Sequence, residues 1–274
     1  MSNTNIVDMI NREFAVPESL QIFTTLRYDP SLPKQCAGNV GLDESCIYSL
    51  NDHIAKLNRS ARYFQIDAHI SKETILDGIS AAFFHNGMDN SIPHRVKVSI
   101  ALDGSMHVEM APLPETHRLN TEIPQYASFQ ESTLSIPKYL HPWSGWYAHL
   151  DSQPSSVSPY TSFKTNIRDT YNAARRRRSI TVGDRREVIL YDGSGYLLEG
   201  SITSIACWRE KDSQYAWVTP HLGRGCMDGI MRRKFIDTRE IIQGDIEVGS
   251  LMDGEIILLM NALMGVQPAI VRLQ

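Results

Sequence analysis

VILYDGSGYLLEGSITSIACWR, residues 188–209, decides how the second half of the chain folds. Apolar, β-branched runs lie on both sides of Asp192, Gly193, Ser194 and Gly195, and a third run follows Gly200. The stretch therefore reads strand, tight turn, strand, turn, strand. A nucleotide-binding loop would need a helix directly after its glycines, so residues 193–195 are a hairpin turn. Glu199 closes the middle strand. Upstream, YTSFKTN (160–166) reads as a short strand that ends on Lys164, and a helix with Ile167, Tyr171 and Ala174 follows, capped by Thr165 or Asn166. Downstream, WVTPHLGRGCMDGIMRR (217–233) passes from a strand through a loop into a helix starting near Ile230. EIILLMNALMGVQP (255–268) is a buried strand with a turn at Asn261 and Ala262.

The whole chain sets bounds on this reading. With 274 residues it can bury a substantial core, and 42% apolar with 21% charged residues is the composition of a globular protein. A formal net charge of -4 leaves no broad basic surface for nucleic acid. The one basic run, ARRRR at 174–178, falls at a helix C-terminus, where positive charge suits the dipole. Cys36, Cys46, Cys207 and Cys226 form no C-x-x-C pair and no ligand spacing with histidine, so neither a structural metal nor a disulfide framework is expected. No apolar run reaches the roughly 18 residues of a membrane span. A soluble, cytoplasmic protein is the expectation.

The first half mixes helices and strands. Ile6, Val7, Ile10 and Phe14 form a short amphipathic pattern that stops before Pro17. LQIFTTLRYDP (20–30) reads as a strand and 31–45 as a loop. SLNDHIAKLNRSARYF (49–64) is a helix that Asn51 can cap, with Leu50, Ile54, Leu57, Ala61 and Phe64 at three- and four-residue steps. His53, Lys56 and Arg59 fall on its neighbouring faces. A second helix starts at the Ser71 cap, and RVKVSIALDGSMHVEMAPL (95–113) is a hairpin turning at Asp103 and Gly104. From 138 to 159 the pattern dissolves into Pro, Ser, Gly and aromatic residues. The expected organisation is therefore an α/β (α+β) chain with a small N-terminal domain at 1–137, an interdomain loop at 138–159 and a C-terminal domain at 160–274.

Lys164 and Glu199 at strand ends, with small-residue turns whose amides can face an anion, point to a pyridoxal phosphate site. A desolvated lysine has its amine freed to attack a carbonyl, a carboxylate can pair with a ring nitrogen, and turn amides can hold a phosphate. Taken singly, a lysine and an edge glutamate are usually solvated. Their order along the chain carries the reading.

That order is K-T-x-x-R, then D-x-x-G-x-x-x-E-G-S, then T-P-x-L with G-I-M-R, then N-A-L-M-x-V-x-P. It resembles the fold-type IV, or class IV, pyridoxal phosphate enzymes, over roughly residues 23–268. GIMR and NALM are similar to the 4-amino-4-deoxychorismate lyases of that superfamily, and Y-x-x-A-R with L-R-Y-D-P looks like their fungal branch. FTTLR and HIAKL resemble the family's early strand and its H-x-x-R-L helix. The resemblance implies a two-domain fold, with a small N-terminal α/β domain and a larger, β-barrel-like C-terminal domain. It also implies a homodimer and a small-molecule substrate.

The same resemblance assigns roles. Lys164 would link the cofactor and shuttle protons, and Glu199 would hold the pyridine nitrogen protonated. Ile202 and Thr203 match one set of phosphate-binding amides, and Ile230 and Met231, opening a helix, match the second. Ala262 occupies a phosphate-side position, Thr25 would assist the leaving group, and Arg27 would meet a substrate carboxylate. Lys56 stands where the family usually has a phosphate-binding arginine, so a fork becomes a point charge. Ser204, Met231 and Ala262 replace a frequent asparagine, threonine and serine or threonine, and the usual opening strand with an Asn-Gly turn is absent. The implied activity is aminodeoxychorismate lysis to 4-aminobenzoate and pyruvate, towards folate. The alternatives are a class IV aminotransferase (branched-chain, D-amino acid or amine type) and a pyridoxal phosphate-binding or cofactor-free relative without turnover.

Overall fold

The computed structural model describes residues 14, 16–32, 43–114, 117–123, 145–211 and 213–273. Ile6, Val7, Ile10, Cys36 and most of the expected loop at 31–45 lie outside the described residues. The chain forms two compact units, Met1–His117 with Phe163–Ile167, and Arg118–Ser162 with Arg168–Gln274.

In the first unit, β1 (Gln21–Tyr28) is followed by helices α1 (Leu50–Tyr63) and α2 (Lys72–Asn86) and by strands β2 (His94–Ala101) and β3 (Met106–Pro112). The strands make an antiparallel sheet in the order β1-β2-β3, with Phe23 opposite Ser99, Thr25 opposite Lys97 and Arg27 opposite Arg95. Ser71 caps α2 as expected, in a reciprocal box with Thr74. The hairpin turns where expected. Asp103 Oδ1 accepts the Ser105 amide at 2.9 Å, and Gly104 takes a φ of +80°, where an added methyl would strike the Asp67 carbonyl. Asn51 does not cap α1. The helix starts at Leu50 behind Ser49, whose φ is 52° and whose side chain makes no cap bond. The backbone before it is tied to β1, with Asp29 N–H donating to Cys46 O and Tyr48 N–H to Arg27 O. Tertiary pairing, not a cap, sets this helix start.

The second unit holds β4 (Trp146–Leu150), a one-turn α3 (Pro159–Ser162), α4 (Asp169–Arg177), β5 (Arg186–Tyr191), β6 (Leu197–Gly200) and β7 (Ser204–Lys211). It continues with β8 (Gln214–Pro220), α5 (Ile230–Asp237), β9 (Ile241–Gly244), β10 (Ile256–Asn261) and β11 (Gly265–Arg272). Its strands form one sheet in the order β6-β5-β4-β11-β10-β7-β8-β9. The sheet curls until its first strand meets the chain just past its last. Tyr196 bridges Glu247, and Leu197 N–H donates to Ile246 O at 2.8 Å. The apolar interior includes Ile189, Leu197, Ile205, Ile246, Ile257 and Val271, while Val188, Leu190 and Leu198 point the other way, against Tyr171 and Ala174 of α4. The period-two alternation of β5 serves both layers.

Three expectations need correction. The stretch 138–159 is not all connection: β4 lies inside it, parallel to both β5 and β11. Five residues flanked by turn formers show no usable period, and only pairing on both edges makes them a strand. YTSFKTN is not a strand throughout, since Tyr160–Ser162 belong to α3 and only Lys164, Thr165 and Asn166 pair with β1, with Thr165 bridging Ile22. Neither Thr165 nor Asn166 caps α4, which starts at Asp169 behind Arg168. Asn166 serves the first unit instead, accepting the Gln21 amide at 2.8 Å and donating to Ser19 O at 2.7 Å.

Candidate active site

In the first unit the residues around Lys164 sit on both faces of β1. Phe23 N–H donates to Lys164 O at 2.9 Å, which fixes the lysine beside the strand. Its Nζ lies 5.3 Å from the centre of the Phe23 ring, and Lys97 Nζ lies 5.5 Å from the same ring. Thr25 is half-buried on the Phe23 face. Thr24, on the opposite face, is buried with its Oγ1 2.6 Å from His53 Nδ1. His53 is buried, and its Nε2 finds no hydrogen-bond partner among the described residues. Burial, followed by the charges of Lys56 and Lys164, pushes the imidazole well below its ordinary pKa and keeps it neutral. Lys56 is itself buried on α1.

Arg27 is committed elsewhere. It is 3% exposed, its Nη2 and Nε reach Asp29 Oδ2 at 2.7 and 2.9 Å, and its Nη1 donates to His117 O at 2.8 Å. Asp29 also accepts from the Ser31 amide and hydroxyl. A buried guanidinium needs its counter-ion, and Asp29 supplies it to Arg27, the residue expected to meet a substrate carboxylate.

In the second unit Glu199 is 5% exposed at the end of β6. Tyr171 Oη donates to its Oε1 at 2.6 Å, and the Met227 amide donates to its Oε2 at 3.2 Å. Burial, then the Glu199 charge, raises the Tyr171 phenol well above its ordinary value, so it stays a donor. Burial likewise pushes the nearby Cys226 thiol up to about 12. It is a packed, inert thiol.

The turn after Glu199 is held from below by a residue to which the sequence reading assigned no role. Glu187, 0% exposed, accepts the Ser201 amide at 2.9 Å, the Ser201 hydroxyl at 2.6 Å, the Ile202 amide at 3.1 Å and the Thr203 hydroxyl at 2.9 Å. The Ile202 amide, expected at a phosphate, is thereby taken, because a buried carboxylate must gather donors. The Thr203 hydroxyl is taken with it. A methyl on Gly200 would collide with Glu187 and with Thr203 Oγ1, so only glycine fits there. Glu187 opens an apolar strand, where a charged residue normally reads as solvated. Its burial follows only from the fold-back of 201–203.

Ile230 and Met231 open α5, whose N-cap is Gly229. Glycine offers no capping oxygen, and any side chain there would run into Ser204 Oγ. Asn261 Oδ1 accepts the Leu263 and Met264 amides at 3.0 Å each, which shapes the turn carrying Ala262, and its Nδ2 donates to Ile202 O at 3.4 Å. The second unit thus draws the turns at 200–204 and 261–264 and the start of α5 around Ser204 and Ile202. No group of three or more His, Cys, Asp and Glu that could hold a metal occurs among the described residues, and no helix there is long and apolar enough to cross a membrane.

A curled mixed sheet in one unit and a small α/β unit, with a lysine, a buried glutamate and an uncapped helix start, define the class of fold. The profile of the class IV aminotransferases matches residues 21–270, and the chain belongs to that family. An aminodeoxychorismate lyase of Saccharomyces cerevisiae is 27% identical to it over 245 residues, 80% of this chain. An aminodeoxychorismate lyase of Bacillus subtilis is 24% identical over 212 residues, 76% of this chain. The chain spans 66% and 65% of the lengths of these two relatives. A branched-chain aminotransferase of the archaeon Thermoproteus uzoniensis, solved with norvaline, shares the fold with a TM-score of 0.64 and 18% identity, over 96% of this chain and 85% of its own.

Proposed function

We propose that the chain is a pyridoxal phosphate-dependent lyase that converts 4-amino-4-deoxychorismate into 4-aminobenzoate and pyruvate, a step towards folate. The observation that carries this reading is Glu199, a buried carboxylate that accepts the Tyr171 hydroxyl on one oxygen and the Met227 amide on the other. It stands in a chain of the class IV family whose curated relatives include lyases of that name. The donor set fits the cofactor: a carboxylate for a protonated ring nitrogen, an amine for an aldehyde, and an uncapped helix start with Lys56 for a phosphate.

When bound, pyridoxal phosphate supplies a ring that accepts electrons from the amine-bearing carbon of the substrate. The chain's own residues do the rest. Glu199 holds the ring-nitrogen proton, and the first-turn amides of α5 at Ile230 and Met231, the Ala262 turn and Lys56 hold the phosphate. Lys164 Nζ takes the proton from the amine-bearing carbon, and Thr25 Oγ1 bonds the departing enolpyruvyl oxygen. Departure makes the substrate ring aromatic, which supplies the driving force and leaves the protein mainly positioning and proton transfer to perform. The two products together contain every atom of the substrate, so no keto acid is consumed.

The expected outcome is sustained release of 4-aminobenzoate and pyruvate from aminodeoxychorismate with pyridoxal phosphate and no added keto acid. That turnover is lost in Lys164→Ala, and borohydride fixes the cofactor to the peptide containing Lys164. The fold match to a branched-chain aminotransferase favours a second reading. A transaminase would stall after one half-reaction without a keto acid, and sustained amino transfer with no pyruvate from aminodeoxychorismate would decide for it. Homodimerisation, implied by the family resemblance, is read by light scattering as a mass of two chains.

A further inference from the structure

We propose that Tyr171 is a positioning residue for Glu199: its hydroxyl holds that carboxylate turned and ionised for the ring nitrogen of the bound cofactor, an inference that rests on the function proposed above. Tyr171 and Glu199 are 2% and 5% exposed, so water cannot replace the 2.6 Å contact between them. A carboxylate removed from water rotates or takes up a proton unless donors satisfy it. Here the phenol donates to Oε1 and the Met227 amide to Oε2. A protonated Glu199 would have no charge to hold a ring N–H.

The phenol is itself held in place. It belongs to the first turn of α4, and its ring packs in one apolar cluster with Ala174, Val188, Leu190, Leu198 and Cys226. The Arg168 guanidinium lies over the ring, 4.6 Å from its centre, and its Nη2 is tied to Ser201 O at 2.6 Å. The competing acceptor, Thr161 O, is farther from the hydroxyl at 3.2 Å. Ser201 is also bound by Glu187 and by Arg175 Nη1. Helix α4 and the turn after Glu199 therefore form one frame, and the Tyr171 hydroxyl carries a hydrogen bond from it to the carboxylate.

The test is Tyr171→Phe, which keeps the ring under Arg168 and removes only the donor. In cofactor-free protein labelled with 13C at glutamate Cδ, with the Glu199 signal assigned by its loss in Glu199→Gln, the titration midpoint of Glu199 should rise by about one pH unit. That is roughly tenfold in proton affinity, as expected for loss of a charge-assisted hydrogen bond. Equilibrium binding of pyridoxal phosphate should weaken about tenfold in the same variant. A folded Tyr171→Phe with an unmoved midpoint overturns the proposal. Where the phenylalanine variant does not fold, 3-fluorotyrosine at 171 replaces it; as a stronger donor of similar shape it should move the midpoint downward, and no movement or a rise overturns the proposal. Failure of the wild type to bind pyridoxal phosphate would overturn the proposed function, and the carboxyl titration would then decide the Tyr171 coupling alone.

Discussion

His53 shows how much a single side chain depends on what packs around it. An exposed histidine titrates near pH 6.5, but this one is buried on α1 against Thr24, in the field of Lys56 and Lys164, and is held neutral. Its folded pKa lies below its unfolded value, so the unfolded chain binds the extra proton first. The stability this adds is complete above about pH 6.5 and drains away as pH falls towards the folded pKa, at up to about 1.4 kcal/mol per pH unit. Urea unfolding of cofactor-free protein between pH 7 and pH 5 should show a steeper loss in wild type than in His53→Gln, which has no such proton to exclude. Parallel slopes would mean that the imidazole is not held neutral. Lys164 and Glu199 were singled out in the sequence by their place in the ordered motifs, and the structure shows Glu199 buried at the end of β6. Thr24, Tyr171 and Glu187 were not legible in their roles, because each works through a partner 29, 28 or at least 14 residues away, respectively, that only folding brings near.

Among the elements, the helices with strong three-four periodicity and the strands with clean alternation were readable, and those fixed by pairing were not. Helix α1 was placed correctly along its length by Leu50, Leu57 and Ala61, yet its start comes from backbone bonds to β1 that no local signal encodes. β4 was hidden because a five-residue strand with neighbours on both sides needs no period of its own. The arginines expected at a helix C-terminus are there, in the last turn of α4, and Arg177 also pairs with the buried Asp151 at 2.5 Å and 2.7 Å. The departure that the family resemblance implies at Lys56, a point charge in place of a phosphate-binding arginine, makes α1 testable as an element of the site. If that ammonium meets the cofactor phosphate, Lys56→Ala should weaken pyridoxal phosphate binding by roughly 1.5–3 kcal/mol, the range for a hydrogen bond to a charged group. Lys56→Arg should keep or tighten it. Equal affinity in wild type and the alanine variant would make Lys56 a packing residue only.

At the scale of the molecule, the second unit depends on its sheet closing on itself, and the closure was the part of the fold least visible in residue patterns. A barrel-like form was expected from family resemblance, whereas the seam is a product of twist and register along the whole sheet. It runs where Leu197 N–H meets Ile246 O and Val248 N–H meets Gly195 O, both at 2.8 Å. Gly265 supports the same unit from another side, at a φ of +71° where a methyl would strike the Asn120 backbone. Ile246 lies in the interior cluster with Leu197 and is 2% exposed, so truncating it both empties core volume and loosens the seam. Ile246→Ala should cost about 2–5 kcal/mol in urea unfolding, the usual range for such a truncation. Val182→Ala, at a fully exposed site, should stay within about 0.5 kcal/mol of wild type. Glu199 sits two residues past Leu197 on the same strand, so slack at the seam reaches the carboxylate directly. Ile246→Ala should therefore also bind pyridoxal phosphate more weakly under conditions where it remains folded. A variant that loses stability and keeps full cofactor affinity would show that Glu199 is held by Tyr171 and the Glu187 turn without help from the closure of the sheet.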